Sequence, residues 1–206
     1  AYSFIDAHQH SHDAHLTLPD PGAGEFDFDS TDNLTISAWV KTSRTGWNMT
    51  VVQLAYAGQA PWIKLEIRAG GLARFFMRDA NDKVAQAKGT TSVTDGAWHH
   101  LMGVRDVASD KVKLYVDGVL LAEATDTTTG TFVTANPQNL VGKSAGTPAN
   151  WFDGKIDELK IFRWALPAQH ADLKPVLAAG YRHSLILTSN LSLYGFGYSS
   201  YGQLGI

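Results

Sequence analysis

The chain has 206 residues, 44% hydrophobic and 18% charged, with 17 basic against 20 acidic side chains and a formal net charge of -3. That balance excludes a disordered polyelectrolyte and supplies no basic footprint for DNA, RNA or an anionic membrane. It contains no cysteine, which removes disulfides, thiolate catalysis and cysteine-ligated zinc, and no apolar run reaches the roughly 18 residues of a membrane helix.

The sequence opens at Ala1 with neither Met nor a leader-like segment, so the expectation is that a preceding stretch has been removed. "HQHSHDAH" follows, carrying His8, His10, His12 and His15. On an extended strand positions 8, 10 and 12 project to one side, where imidazoles ligate zinc, copper or nickel, with Asp6 and Asp13 as oxygen donors nearby. Same-face Cβ atoms on one strand lie roughly 6.5–7 Å apart, however, so three of them reach a single ion poorly without a bend. The stretch reads first as a solvated polar loop, with a transition-metal site or a pH-sensitive intersubunit contact as alternatives. "DFDSTD" (Asp27–Asp32) is dense in acids but sits among Ser and Thr ahead of a strand, as a turn does.

Strands dominate what comes next. "NLTISAWVKTS" (Asn33–Ser43) sets Leu34, Ile36, Ala38 and Val40 against Thr35, Ser37 and Lys41, and "WIKLEIRAG" sets Ile63, Leu65 and Ile67 against Lys64, Glu66 and Arg68. Both are period-2 patterns with one packed face. "LARFFMRD", "WHHLMGVRD" and "KVKLYVDGVLLAEAT" follow, the last folded at Asp117-Gly118, where a type I′ turn needs positive φ at both central residues. His99 and His100 are adjacent and point to opposite faces, so they do not form one site and one of them is expected in the core. "ALPAQHADLK" (Ala165–Lys174) is the one stretch suited to a short helix, with Pro167 near its start and Pro175 at its end. Ten or more short strands with one short helix mean an all-β fold, a two-sheet antiparallel jelly-roll sandwich. The texture turns rich in Gly, Ser and Tyr after Pro175, so residues 1–174 are assigned to the sandwich and 175–206 to a separate element.

Three tryptophans fall in loop-like contexts: Trp47 in "SRTGWNMT", Trp62 in "GQAPWIK" and Trp151 in "PANWFDG". Aromatic faces on a jelly-roll rim stack on sugars or meet a protein partner, and the alternative is that each plugs the edge of the core. Trp39, Trp98 and Trp164, within or beside strands, are expected to plug that edge. Asp157 in "GKIDELKIF" is a carboxylate in an apolar strand, which is costly without compensation. Strict alternation places it on the face of Leu159, opposite Ile156. Calcium, which takes six to eight oxygens, would compensate it, as would backbone amides or a paired Lys or Arg.

"NLTISAWVKTS", "DGAWHHLMGVRD", "VKLYVDGVLLAEA" and "FDGKIDELKIFRWALPAQ" together resemble the laminin-G-like, concanavalin A-like jelly roll, over about residues 2–173. In these jelly rolls the Asp of the last motif binds a structural calcium with oxygens from the first strand. The resemblance carries that role to Asp157, with Asp6 as the nearest first-strand counterpart. "AAGYRHSLILTS" and "LYGFG…YGQLG" resemble a single repeat of the regulator-of-chromosome-condensation type, a propeller blade, over about residues 178–205. One blade does not bury its own faces. The tail is therefore the front of a longer array, a stub packed on the sandwich or a neighbour, or one share of a ring built by several chains.

No E-x-D-x-E run, no H-E-x-x-H and no phosphate-binding glycine loop occur. The expected function is a non-enzymatic extracellular or surface module for recognition or adhesion. Its partner is a glycan or a protein surface, and neither nucleic acid binding nor membrane insertion is expected. The alternative is a self-assembling surface, filament or virion-decoration subunit that oligomerises through residues 178–206. A polysaccharide-active enzyme using Asp27, Asp29 or Asp32 ranks third.

Overall fold

The computed structural model describes residues 2–4, 15–19, 24, 26–135, 137–146, 149–167, 176–179, 183–187 and 193–197, with the backbone alone for the first three and for those beyond 167. One sheet runs in the order β1 (Tyr2–Phe4), β12 (Gly154–Phe162), β3 (Leu34–Lys41), β8 (Trp98–Asp106), β9 (Lys111–Val116), β10 (Val119–Thr125). The other runs β2 (Leu16–Thr17), β11 (Gln138–Val141), β4 (Met49–Tyr56), β5 (Trp62–Arg68), β6 (Leu72–Arg78), β7 (Val84–Ser92). All pairings in both are antiparallel. The expected all-β two-sheet sandwich is therefore what forms. No helix occurs among the described residues; the expected one at Ala165–Lys174 falls mostly outside them.

Alternation builds the core. Leu34, Ile36, Ala38 and Val40 of β3 and Leu101 of β8 face Ile63, Leu65 and Ile67 of β5 and Phe75 and Met77 of β6, all fully buried in one cluster. The two sheets come close at Gly103, where an added Cβ would lie 2.3 Å from the Phe75 ring. Only glycine leaves room for that aromatic in the facing sheet. Asp117 and Gly118 close the β9–β10 hairpin with φ of 51° and 78°, the two positive values that the Asp-Gly pair implies.

β12 departs from strict alternation. Its partners on β3 step from Trp39 to Ser37 while β12 itself steps from Asp157 to Lys160, one residue more. This β-bulge, with Glu158 at φ 47°, reverses the inward face midway along the strand. Ile156 is in the core, and Leu159 and Ile161 pack against it, whereas Asp157 lies opposite Trp39. The expectation that Asp157 and Leu159 share a face is thus corrected: the extra residue puts them on opposite faces.

Residues 167–206 form a second compact unit, apart from 1–166. Within it β13 (Val176–Ala179), β14 (His183–Leu187) and β15 (Leu193–Gly197) make a three-stranded antiparallel sheet in chain order.

Candidate functional site

Two loops of the sandwich converge on one cleft. The first, between β3 and β4, carries Arg44, Trp47 and Asn48. It is tied down because the Gly70 amide donates to the Thr45 carbonyl (2.9 Å) and the Ala69 amide to Asn48 Oδ1 (3.0 Å). The second, between β11 and β12, carries Asn150, Trp151 and Asp153. It is laced by the Gly142 amide to the Val51 carbonyl, the Phe152 amide to the Gly142 carbonyl and the Asn150 amide to Ser144 Oγ (2.9, 2.8 and 2.8 Å). These bonds satisfy loop backbone and fix where each indole stands. The cleft between the loops measures about 390 Å³ and is floored by buried Met49 and Phe152. That falls within the usual range of about 300–1,000 Å³ for small-molecule pockets.

Trp47 is 64% exposed, the most of any large apolar side chain among the described residues. The Arg44 guanidinium stands 5.5 Å from its ring and 3.5 Å from the Asp153 carboxylate. Lys143 Nζ stands 4.8 Å from the Trp151 ring, and the His15 ring meets that indole edge-on at 6.1 Å. The cleft thus offers two indoles, the Arg44 guanidinium and the Asp153 carboxylate, a set that binds hydroxylated or charged small molecules by stacking and hydrogen bonding.

The three loop tryptophans do not act together. Trp47 and Trp151 line this cleft; Trp62 does not. It stands on β5 with its ring near-parallel to that of Phe76 (6.4 Å, 19°) and edge-on to that of Tyr56 (5.9 Å). The three tryptophans expected to plug the core edge do otherwise. Trp98 and Trp164 are 37% and 41% exposed, and Trp39 rests on the outer side of its sheet against the buried His100 ring (5.3 Å). Arg44, Lys143 and Asp153 were not singled out from the sequence. The only signal there is their closeness to the two loop tryptophans.

Asp157 Oδ1 accepts the Glu158 amide at 2.9 Å. Asp6, His8, His10 and His12 lie outside the described residues, and among those described no group of three or more His, Asp or Glu is placed to hold a metal ion. The described side chains around Asp157 therefore do not by themselves make up a calcium site.

Most described acids are committed to structure. Asp29 and Asp32 close a turn, with the Asp29 amide on Asp32 Oδ2 (2.8 Å) and the Asp32 amide on the Asp29 carbonyl (3.1 Å); Asp32 also meets Arg163 at 2.8 Å. Asp79 is fully buried and accepts the amides of Asn81, Lys83, Thr129 and Gly130. Burial alone would raise its pKa, but those four amides together hold it below the usual carboxylate range.

A family model described as the concanavalin A-like lectin/glucanases superfamily, of laminin-G type, matches residues 10–171. The chain belongs to this superfamily. A model of the regulator of chromosome condensation repeat matches residues 177–203, so this concanavalin A-like domain is followed by one such repeat, in the order the motifs indicated. No match is found among curated protein sequences. Solved structures resemble the domain at low identity, which establishes the fold. Domains LG4-5 of the mouse laminin alpha1 chain share 18% identity over 77% of this chain and 42% of that one, with a TM-score of 0.59. The CBM40 of a Ruminococcus gnavus sialidase, bound to alpha2,3 sialyllactose, shares 16% over 70% and 89%, with a TM-score of 0.58. Domain 4 of an extracellular arabinanase from Geobacillus stearothermophilus, in complex with arabinotriose, shares 23% over 76% and 70%, also with a TM-score of 0.58.

Proposed function

We propose that this protein is a non-catalytic binding module that holds a glycan in the cleft between its Arg44–Asn48 and Asn150–Asp153 loops. The observation that carries the reading is the convergence of Trp47 and Trp151, distant in sequence, on one concavity of about 390 Å³. A sugar presents C–H groups on the face of its ring and hydroxyls around its edge. The indoles take the first, and Arg44 and Asp153 take the second. Structural relatives solved with sialyllactose and with arabinotriose support the class of ligand. The commitment of Asp29, Asp32 and Asp79 to turns and amides supports a role without bond cleavage. Such a module works where glycans are displayed, outside the cell or on a surface.

Screening the intact chain on a glycan array, then titrating the best ligand against Trp47→Ala and Trp151→Ala, tests this. Each substitution is expected to weaken binding by about 1–3 kcal/mol, the scale of one lost aromatic stacking contact, with the melting temperature preserved for the exposed Trp47. Undiminished affinity in both variants would remove the cleft from consideration.

The second reading, self-assembly, draws on the three-stranded sheet β13–β14–β15, whose outer strands β13 and β15 pair on one side only among the described residues. Calcium at Asp157 belongs to either reading as a fastening between β12 and the N-terminal segment, not as a catalyst.

A further inference from the structure

The outer face of the second sheet, across β4, β5 and β6, gathers polar groups with no partner among the described residues around an aromatic stack. Gln53 of β4 is 0% exposed, yet neither its side-chain nitrogen nor its oxygen has a hydrogen-bond partner among the described residues. Buried amides are almost always satisfied, and each unmet group costs roughly 1–3 kcal/mol. Directly across from Gln53 in the β4–β5 register stands Lys64, and across from Lys64 on β6 stands Phe76. One step along, Trp62 pairs with Arg78.

Lys64 has no carboxylate within ion-pair distance among the described residues. Its ammonium rests 5.8 Å from the Trp62 ring. Burial holds its pKa below the usual lysine value; Glu66 opposes that shift, while Arg74 and Arg68 add to it. Arg74 is engaged, since its Nε donates to Glu66 at 2.7 Å and its Nη1 to Gln86 at 3.0 Å. Arg78 pairs with the 68%-exposed Asp82 at 3.0 Å through Nη2, while its Nε is buried and unpartnered. Arg78 also lies 5.0 Å from the Trp62 ring. A desolvated cation, a buried guanidinium N–H and a buried amide therefore crowd one stack of rings, all on one side of the sheet.

We propose that Gln53, Lys64 and Arg78, walled by Trp62 and Phe76, form a second binding site, separate from the tryptophan cleft, for a uronic-acid unit of a glycan. The unmet groups define the ligand. Lys64 and Arg78 Nε call for an anion. The Gln53 amide leaves both N–H donors and its carbonyl acceptor open, so the ligand carries a hydroxyl, which donates and accepts, beside its carboxylate. The rings call for a flat apolar face. A pyranose with a carboxylate next to a ring hydroxyl has all three. Gln53 is completely buried, so the sugar edge reaches it by displacing the Lys64 chain opposite, an unbranched side chain whose stem moves at low cost. The exposed pair of Arg78 with Asp82 is weak enough to yield to a ligand.

The test titrates tetragalacturonate, its neutral galactose counterpart and a glutamate oligomer into the intact isotope-labelled chain, following amide shifts. Expected are shifts confined to β4–β6 with the uronate, none with the neutral sugar, and weakening by added salt. Lys64→Gln and Gln53→Met each weaken uronate binding about tenfold or more, while Trp47→Ala does not. Gln53→Met carries a second readout, because replacing an unpartnered buried amide with an apolar chain of similar size raises the melting temperature as affinity falls. The site is overturned by uronate shifts confined to the Trp47–Trp151 cleft, by no shift at all, or by equal binding of the neutral sugar. A glutamate oligomer bound as tightly as the uronate would make the face a general polyanion surface and overturn the sugar assignment. Because the cleft variants are scored separately, loss of one site leaves the other interpretable.

Discussion

Among the described residues, Arg105 makes five side-chain hydrogen bonds to segments distant in sequence. Buried at the end of β8, it donates Nε to Asp126 (2.6 Å), Nη1 to the Asp29 and Asp32 carbonyls (2.8 and 3.0 Å), and Nη2 to the Ser30 carbonyl and Thr128 Oγ1 (2.8 and 3.2 Å). One planar fork thereby fixes the acid-rich turn before β3 and the segment after β10, a geometry lysine does not reproduce. Arg105→Met leaves the buried Asp126 carboxylate without its cation and the Asp29, Ser30 and Asp32 carbonyls without this donor, and is expected to destabilise the fold by about 3–5 kcal/mol, read by denaturant unfolding. An effect below about 1 kcal/mol would mean that water replaces the fork. Nothing in "MGVRD" marks this arginine as buried: alternation shows that it shares a side with Leu101 and Gly103, but its partners come from loops far away in sequence.

His99 has the opposite legibility. As one of two neighbouring histidines on opposite faces, it was separable from His100 by period alone. Its Nδ1 meets Asp117 at 2.7 Å and its Nε2 meets Asp95 at 3.0 Å, so the hairpin turn, the loop before β8 and β8 itself are clipped together. Burial would lower its pKa, but the Asp117 and Asp95 carboxylates outweigh that and raise it above the usual histidine value. A raised folded-state pKa contributes stability that is complete below about 6.5, the unfolded value, and is lost as pH rises through the folded one. Stability measured from pH 5 to 9 should therefore decline across that window in the native chain and flatten there in His99→Gln. A histidine proton resonance titrating at or below the ordinary value would contradict the clamp.

Among the elements, β12 shows where period-2 reasoning stops. The alternation of β3 and β5 is written in their sequences because each has one residue per partner position; Leu34, Ile36, Ala38 and Val40 and Ile63, Leu65 and Ile67 form the core face, although Thr35, Ser37 and Glu66 on the other face are buried as well. β12 has one residue too many, and no side chain in "GKIDELKIF" announces which one is extra. Glu158 takes the positive φ, a conformation its side chain does not favour. Alternation from Ile156 already turns Asp157 away from the core; the bulge brings Leu159 back toward it, and Asp157 Oδ1 accepts the Glu158 amide. That arrangement suits either a self-contained bulge cap or a carboxylate aimed at an ion. Melting with and without chelator separates them: a calcium-fastened β12 melts lower in chelator and regains its melting temperature with added calcium, and Asp157→Asn abolishes the difference. A curve that chelator leaves unmoved assigns Asp157 to the bulge alone.

For the whole molecule, composition and strand patterns were enough for two packed sheets, because that architecture repeats one local rule along the chain. The candidate site was legible only as separate aromatic residues. Its making depends on which loops meet, and that follows from the strand order that sets β11 beside β4 and β12 beside β3. Every residue of the cleft and of the outer face of β4–β6 lies within the first compact unit, residues 1–166, while β13–β15 belong to the second. The two proposed roles, recognition and assembly, therefore fall on different stretches of chain, and a shortened protein ending at Lys174 tells them apart. It should melt in one cooperative transition and bind the glycan with unchanged affinity, since repeat-type units add stability chiefly to their own neighbours. If the intact chain self-associates in light scattering at high concentration, the shortened one should remain a monomer, because the strand edges that recruit partners are gone. Glycan affinity that falls with removal of residues 175–206 would contradict this division and make the repeat part of the binding surface.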